Sequence, residues 1–166
     1  THSLAFKAMN QNAKIPVLQI NTSEFLYESN AILNYLAEDS AFLPCSKIAR
    51  GKVLQWQFFE QYSHEPYIAV ARYINKYLGL PKERLDEYNA KQEGGHKALA
   101  VMEDQLSNTA FLVGDTPTIA DISLYAYTHV AHEGGFSLTR YPHIEAWIRS
   151  IEALPNYVAM NSSSHQ

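Results

Sequence analysis

A single cysteine, Cys45, occurs in the 166 residues, so no intramolecular disulfide can brace the fold. A chain so poor in cysteine suits a reducing compartment. Charged residues are also scarce, at 18% against 46% hydrophobic. Disordered chains show the opposite balance, so a globular fold with a real core is expected. The 13 Lys and Arg are outnumbered by 17 Asp and Glu, giving a formal net charge of −4. That balance argues against nucleic acid as a partner, because phosphate binding needs a concentrated basic surface. No run approaches the ~18 apolar residues of a membrane span. No charged stretch followed by an apolar one opens the chain, so a cytoplasmic location is the expectation. Repeats and low-complexity segments are missing too. The polar tail, residues 161–166, is expected to fray. What the chain does have is tyrosine, 11 residues of it, within a 12% aromatic content. Such a supply suits an aromatic-lined pocket and a helical core equally well.

The chain divides into two parts, residues 1–41 and residues 46–166. In the first, Ile15 to Ile20 is a short β-prone run opened by Pro16, and Phe25-Leu26-Tyr27 is a second. Turn chemistry at Asn21-Thr22-Ser23-Glu24 joins them as a hairpin. Ser29 can then cap a helix from about Asn30 to Ala37. A hairpin plus one helix is too little to stand alone, so this part must pack on something else. The second part is helical. A long helix runs from about Lys47 to Tyr77, with a kink or break expected near His64 because Pro66 lies inside it. Further helices cover about Glu83–Leu106, Ile119–His132 and His143–Leu154, the last opened by Pro142. Four or five helices of 3.6-residue period make a small all-α bundle.

Three motifs carry the chemistry. The first is Lys14-Ile15-Pro16-Val17-Leu18. A proline between two β-branched residues at a strand start fits a cis Ile15–Pro16 turn, which X-Pro bonds allow for ~0.5–1 kcal/mol. It fits a plain trans strand opening as well. In the functional reading, the Ile15 N–H and C=O face outward to pair with an extended peptide. The second is Glu28-Ser29-Asn30-Ala31-Ile32. It can be a simple helix start. It can also hold an anion, because free N–H groups at a helix N-terminus plus the Ser29 hydroxyl suit a carboxylate. Glu28 alongside could accept from an ammonium group, so the pair would grip an α-amino acid head group. Taken together, the two motifs describe a site for a short peptide with a free amino-acid head, and glutathione fits that description. The third motif is Thr118-Ile119-Ala120-Asp121, which has capping-box spacing with Asp in the usual Glu position. Its reading is folding chemistry, with Asp121 buried at the helix start.

The ordered set Asn12-Ala13-Lys14-Ile15-Pro16-Val17-Leu18, Tyr27-Glu28-Ser29-Asn30-Ala31-Ile32 and Phe111-Leu112-Val113-Gly114-Asp115 with Thr118-Ile119-Ala120-Asp121 resembles the cytosolic glutathione transferases, in particular their bacterial branch. Pro142, Trp147 and Leu154-Pro155 are similar to the family's last helices. The resemblance implies an α/β thioredoxin-like N-terminal domain, incomplete here, followed by an all-α C-terminal domain. It implies that Ile15 before Pro16 pairs with the cysteinyl backbone of glutathione, that Glu28 and Ser29 hold the γ-glutamyl head, and that Lys14 lies near the glycyl carboxylate. An acceptor pocket for a small hydrophobic electrophile lies between the domains in this family. Tyr62, His64, Tyr67 and Tyr73 on the long helix are the candidates for its wall. A homodimer, glutathione as co-substrate and no metal are also implied.

One departure from the family stands out. Its opening strand–helix–strand unit takes roughly 30 residues, and only Thr1–Asn12 precede the Lys14 motif here. The Tyr, Ser or Cys that hydrogen-bonds the glutathione sulfur is therefore expected outside residues 1–166, and these residues alone are expected to be poorly active. Ala13 also stands where the family has Gly, at some cost if the backbone there is left-handed. A non-catalytic interaction module of the same fold is the alternative function. Cys45 has no recognisable base beside it. His129 and His132, at i and i+3, lack a third metal ligand. His64-Glu65 are adjacent on a helix and do not face each other, which counts against an acid–base pair.

Overall fold

The computed structural model describes residues 1–160; the tail at 161–166, expected to fray, lies outside the described residues. A short helix α1 (Leu4–Met9), not anticipated from sequence, opens the chain, with the Ser3 hydroxyl accepting from Phe6 N at 3.2 Å. Strands β1 (Val17–Gln19) and β2 (Phe25–Tyr27) pair antiparallel, with Leu18 opposite Leu26. Asn21 Oδ1 organises the loop between them by accepting from Ser23 N and Glu24 N, each at 3.0 Å. Helix α2 (Ser29–Ala37) follows directly.

The remainder is helical, as expected. Helix α3 (Lys47–Phe59) passes through a π-turn at Glu60–His64 into α4 (Glu65–Arg72), and a second π-turn covers Tyr73–Tyr77. Pro66 has no N–H to give to the preceding turn, so the ladder widens there, where the break was expected. Then come α5 (Leu85–Leu106), α6 (Ile119–Thr128) and α7 (Pro142–Glu152). Helix α6 stops four residues short of the expected His132; a 3₁₀ turn at Ala131–Gly134 completes that stretch, and Gly135 ends it at φ +88°.

The core is built from α3 to α7, around Val53, Ile68, Leu99, Met102, Ile119, Leu124, Ile144 and Trp147. Its polar centre is Asp121, 1% exposed. One Asp121 oxygen accepts from Leu112 N and Trp147 Nε1, both at 2.9 Å; the other accepts from Thr118 N at 2.8 Å. Thr118 caps α6 in return, and the reciprocal capping box is complete. One carboxylate thus ties a loop, a helix start and α7 together. Helix α2 is docked on this bundle: Asn34 Nδ2 donates to Gln57 Oε1 at 2.7 Å, and Ser123 Oγ donates to Asn30 Oδ1 at 2.7 Å. The N-terminal part thereby packs on the bundle, which its small size requires.

Candidate functional site

The Ile15–Pro16 peptide is cis. The loop that presents it is fastened by Asn10, only 2% exposed, whose Nδ2 donates to Lys14 O at 2.8 Å while its Oδ1 accepts from Asn12 N at 2.9 Å. Ala13, between these anchors, has φ +55°. Ile15 itself stands 74% exposed at the rim.

Thirteen residues on, the chain enters α2 through Glu28, at φ 72° and ψ 116°. Sequence reasoning placed the cap at Ser29. The structure puts Glu28 in the cap position with no side-chain cap bond, and Ser29 is the first helical residue. The difference bears on chemistry: the first N–H groups of α2 are left without a capping side chain, and the positive end of the helix dipole sits behind them. A carboxylate is the natural occupant of such a position. Asn30 fixes the helix end by donating to Gln57 O at 3.3 Å and to Glu60 Oε2 at 3.2 Å. Gln61 Nε2 also donates to Glu60 Oε2, at 2.7 Å. Burial pushes the Glu60 carboxyl above its ordinary range, while these amide bonds pull it back.

Lys14, Ile15, Pro16, Glu28 and Ser29 all line one cavity of about 830 Å³. Its floor and walls are apolar where Leu33, Phe42, Ile122, Ala126, Ile151 and Leu154 meet it. Glu60, Gln61, Glu65 and Arg72 bring polar groups in from the α3–α4 helix. Tyr125, Tyr127 and Tyr157 add to the lining from α6 and the C-terminal segment. Tyr125 Oη lies 2.6 Å from Tyr157 Oη and 3.1 Å from Glu152 Oε1, and burial raises its hydroxyl pKa. Tyr127 is likewise raised, first by burial and then by Glu65 and Glu60.

The four aromatic and histidine candidates for the acceptor wall lie elsewhere. Tyr62 is 85% exposed and Tyr73 is 51% exposed on the outer face. Tyr67 packs over Gly94 on α5, with Lys91 above its ring. His64 is fully buried, with Nε2 2.9 Å from Thr128 Oγ1 and no partner on Nδ1 among the described residues. Thr128 gives its own proton to Leu124 O at 2.7 Å, so His64 is the Nε2–H tautomer and donates. Burial lowers its pKa to about 3. None of the four is among the cavity's lining residues. The residues that do line it from this helix are Glu60, Gln61, Glu65 and Arg72. Of the four, Tyr62 and Tyr73 face outward, while His64 and Tyr67 turn into the helical packing. Cys45 is exposed. His129 Nδ1 lies 2.7 Å from Tyr125 O and stacks on that ring, and no group of three metal-ligating side chains occurs among the described residues. No helix among the described residues is long and apolar enough to cross a membrane.

Comparison with known proteins gives a consistent picture. Residues 1–38 match the family model for the glutathione S-transferase N-terminal domain, and residues 56–155 match that for the C-terminal domain. A crystal structure of a glutathione S-transferase from Pseudomonas fluorescens Pf-5 is 59% identical, superposes with a TM-score of 0.95, and is matched over 96% of this chain and 80% of that one. A glutathione transferase from Burkholderia graminis, solved with two glutathione molecules per subunit, shares the fold at a TM-score of 0.80 and 22% identity, over 93% of this chain and 69% of that one. Among curated relatives, the disulfide-bond oxidoreductase YghU of Escherichia coli is 26% identical over 92% of this chain. The chain spans about half the length of that relative, 56%.

Proposed function

Because this chain belongs to the glutathione S-transferase family, we propose that it binds glutathione in the cavity beside α2 and presents its sulfur to a small hydrophobic electrophile. The observation that carries this reading is the convergence of Lys14, Ile15–Pro16, Glu28 and Ser29 on one cavity with room to spare. In this reading the γ-glutamyl carboxylate sits on the start of α2, against the Ser29 hydroxyl and the first N–H groups. Its ammonium group donates to Glu28. The cysteinyl backbone pairs with the Ile15 N–H and C=O, as a strand pairs with an edge. Lys14 meets the glycyl carboxylate. The sulfur then points toward the apolar part of the cavity. Its thiolate attacks an electrophilic carbon, forming a C–S bond as the leaving group departs with its electron pair. A non-catalytic interaction module would need neither this grip nor the cavity next to it.

The thiolate is the nucleophile, and a free thiol has pKa ~8.5, so a hydrogen-bond donor to sulfur is required near neutral pH. We place that donor in a strand–helix–strand unit outside residues 1–166. Residues 1–41 then form the glutathione-binding part and residues 46–166 the helical domain that closes the acceptor pocket. Leu54, Phe58 and Tyr62, spaced four apart along the helix and 43%, 70% and 85% exposed, suit the seam of a homodimer. A detoxifying role in the cytoplasm accords with this chemistry.

The test is thioether formation from glutathione and an activated aryl halide, followed by absorbance, with the protein carrying its preceding segment. Turnover above the uncatalysed rate is expected. No turnover on any electrophile, together with no glutathione binding, would refute the reading.

A further inference from the structure

The cavity has a charge imbalance. Of the residues that line it, Lys14, Glu28, Glu60, Glu65 and Arg72 are ionisable as acids or strong bases. The reading above assigns Lys14 and Glu28 to the two ends of glutathione. Arg72 is engaged by Glu133, its Nε 2.5 Å from Oε2, a carboxylate that Lys76 shares. That leaves Glu60 and Glu65, on the π-turn and the start of α4, and among the described residues neither has an ion-pair partner. Glu60 is 4% exposed and Glu65 is half-buried. Beyond burial, both raise the hydroxyl pKa of Tyr127, which lines the same space from α6, while Arg72 acts on it in the opposite sense. Apolar side chains such as Leu33, Phe42, Ile122 and Ala126 share the lining, and a low-dielectric wall strengthens a charge's effect on what lies against it.

We propose that the acceptor subsite selects electrophiles bearing an ammonium or similar cationic group over those bearing a carboxylate, with Glu65 as the main determinant and Glu60 in support. This rests on the glutathione reading of the cavity. An apolar body would contact Leu33, Phe42, Ile122 and Ala126, while its cationic end faces Glu65. A carboxylate in the same place would meet like charge, and like-charge juxtaposition discriminates between ligands. The negative charge of bound glutathione adds in the same direction.

The inference can be tested by binding alone, without turnover. Calorimetry at pH 7 would compare three product-like conjugates: S-benzylglutathione, S-(4-aminomethylbenzyl)glutathione and S-(4-carboxybenzyl)glutathione. The grip on the peptide is common to all three, so the neutral conjugate serves as the reference. The aminomethyl conjugate is expected to bind about tenfold tighter than the carboxyl conjugate, a preference that weakens as salt screens it. In Glu65→Gln the ratio should fall toward one, with each affinity taken relative to S-benzylglutathione in the same variant. Equal binding of the two charged conjugates, a preference for the carboxylate, or a ratio indifferent to Glu65→Gln would each overturn the inference and leave the glutathione reading standing. Failure of S-benzylglutathione itself to bind would instead overturn the glutathione reading and this inference with it.

Discussion

Glu28 offers a prediction in which stability and function move in opposite directions. Its backbone sits at φ 72° and ψ 116°, outside the regions open to a residue with a Cβ. Such a residue costs about 1–3 kcal/mol and persists where the surroundings force it, often at a working site. Replacing it with glycine removes that cost and adds back roughly 0.5–1 kcal/mol of unfolded-chain entropy. Glu28→Gly should therefore be more stable by about 1 kcal/mol, a rise in Tm of about 2–4 °C for a chain of this length. The same change deletes the carboxylate assigned to the glutathione ammonium group. A charge-assisted hydrogen bond is worth about 1.5–3 kcal/mol, so affinity should fall about 10–150-fold. Glu28→Ala separates the two effects, since it loses the carboxylate but keeps the Cβ. It should lose the same affinity and gain no stability. Thermal melts and glutathione calorimetry on the three proteins decide the matter. A lower Tm in Glu28→Gly would refute the strain argument, and unchanged affinity in both variants would refute the role given to the side chain.

Other consequences follow from the same geometry. Asp121→Ala strands the donors of Leu112, Thr118 and Trp147 in the core and should cost about 3–5 kcal/mol, seen as a Tm drop on the order of 10 °C. His64 is depressed from 6.5 to about 3 in the folded chain, so the unfolded chain binds the extra proton between those values. Its contribution is fully present above pH 6.5 and is lost as pH falls toward 3, by about 1.4 kcal/mol per unit. His64→Asn should flatten the stability–pH curve over that window, and parallel curves for the two proteins would contradict the assignment. Ala13, at φ 55°, should become more stable by up to about 1 kcal/mol as glycine, with denaturant midpoint as the measure.

Much of the fold was legible because local chemistry and tertiary packing agree. Pro16, the Asn21–Glu24 turn and the aromatic run Phe25-Leu26-Tyr27 define the hairpin. The Thr118–Asp121 spacing defines the start of α6, and the burial of Asp121 is matched by donors from three residues, Leu112, Thr118 and Trp147. Pro66 marked the break in the long helix, although the form it takes, a π-turn, depends on how the widened ladder packs. Helix α1 was missed: six residues with no fully buried side chain carry almost no periodic signal. Its anchor, Asn10, works through backbone groups of Asn12 and Lys14, which no pattern of side chains announces. That Ile15, Glu28 and Ser29 would lie beside one another could be read because they belong to one hairpin-and-helix unit, and they do line one cavity. The opposite wall of that cavity could not. It is assembled from α3–α4, α6 and the segment after α7, and which face of each helix turns inward is fixed only by packing. Tyr62 and Tyr73 are aromatic but face outward, whereas the charged Glu65 faces in.

The central claim is that residues 14–16 and 28–29 hold the ends of glutathione, and a titration tests it most directly. Purified protein of verified intact mass would be titrated by calorimetry with glutathione and, separately, with cysteinylglycine, which lacks the γ-glutamyl head. The account predicts micromolar-to-millimolar binding of glutathione and a loss of at least about tenfold for cysteinylglycine, because the dipeptide cannot reach Glu28 and Ser29. Equal affinity for the two peptides would contradict it.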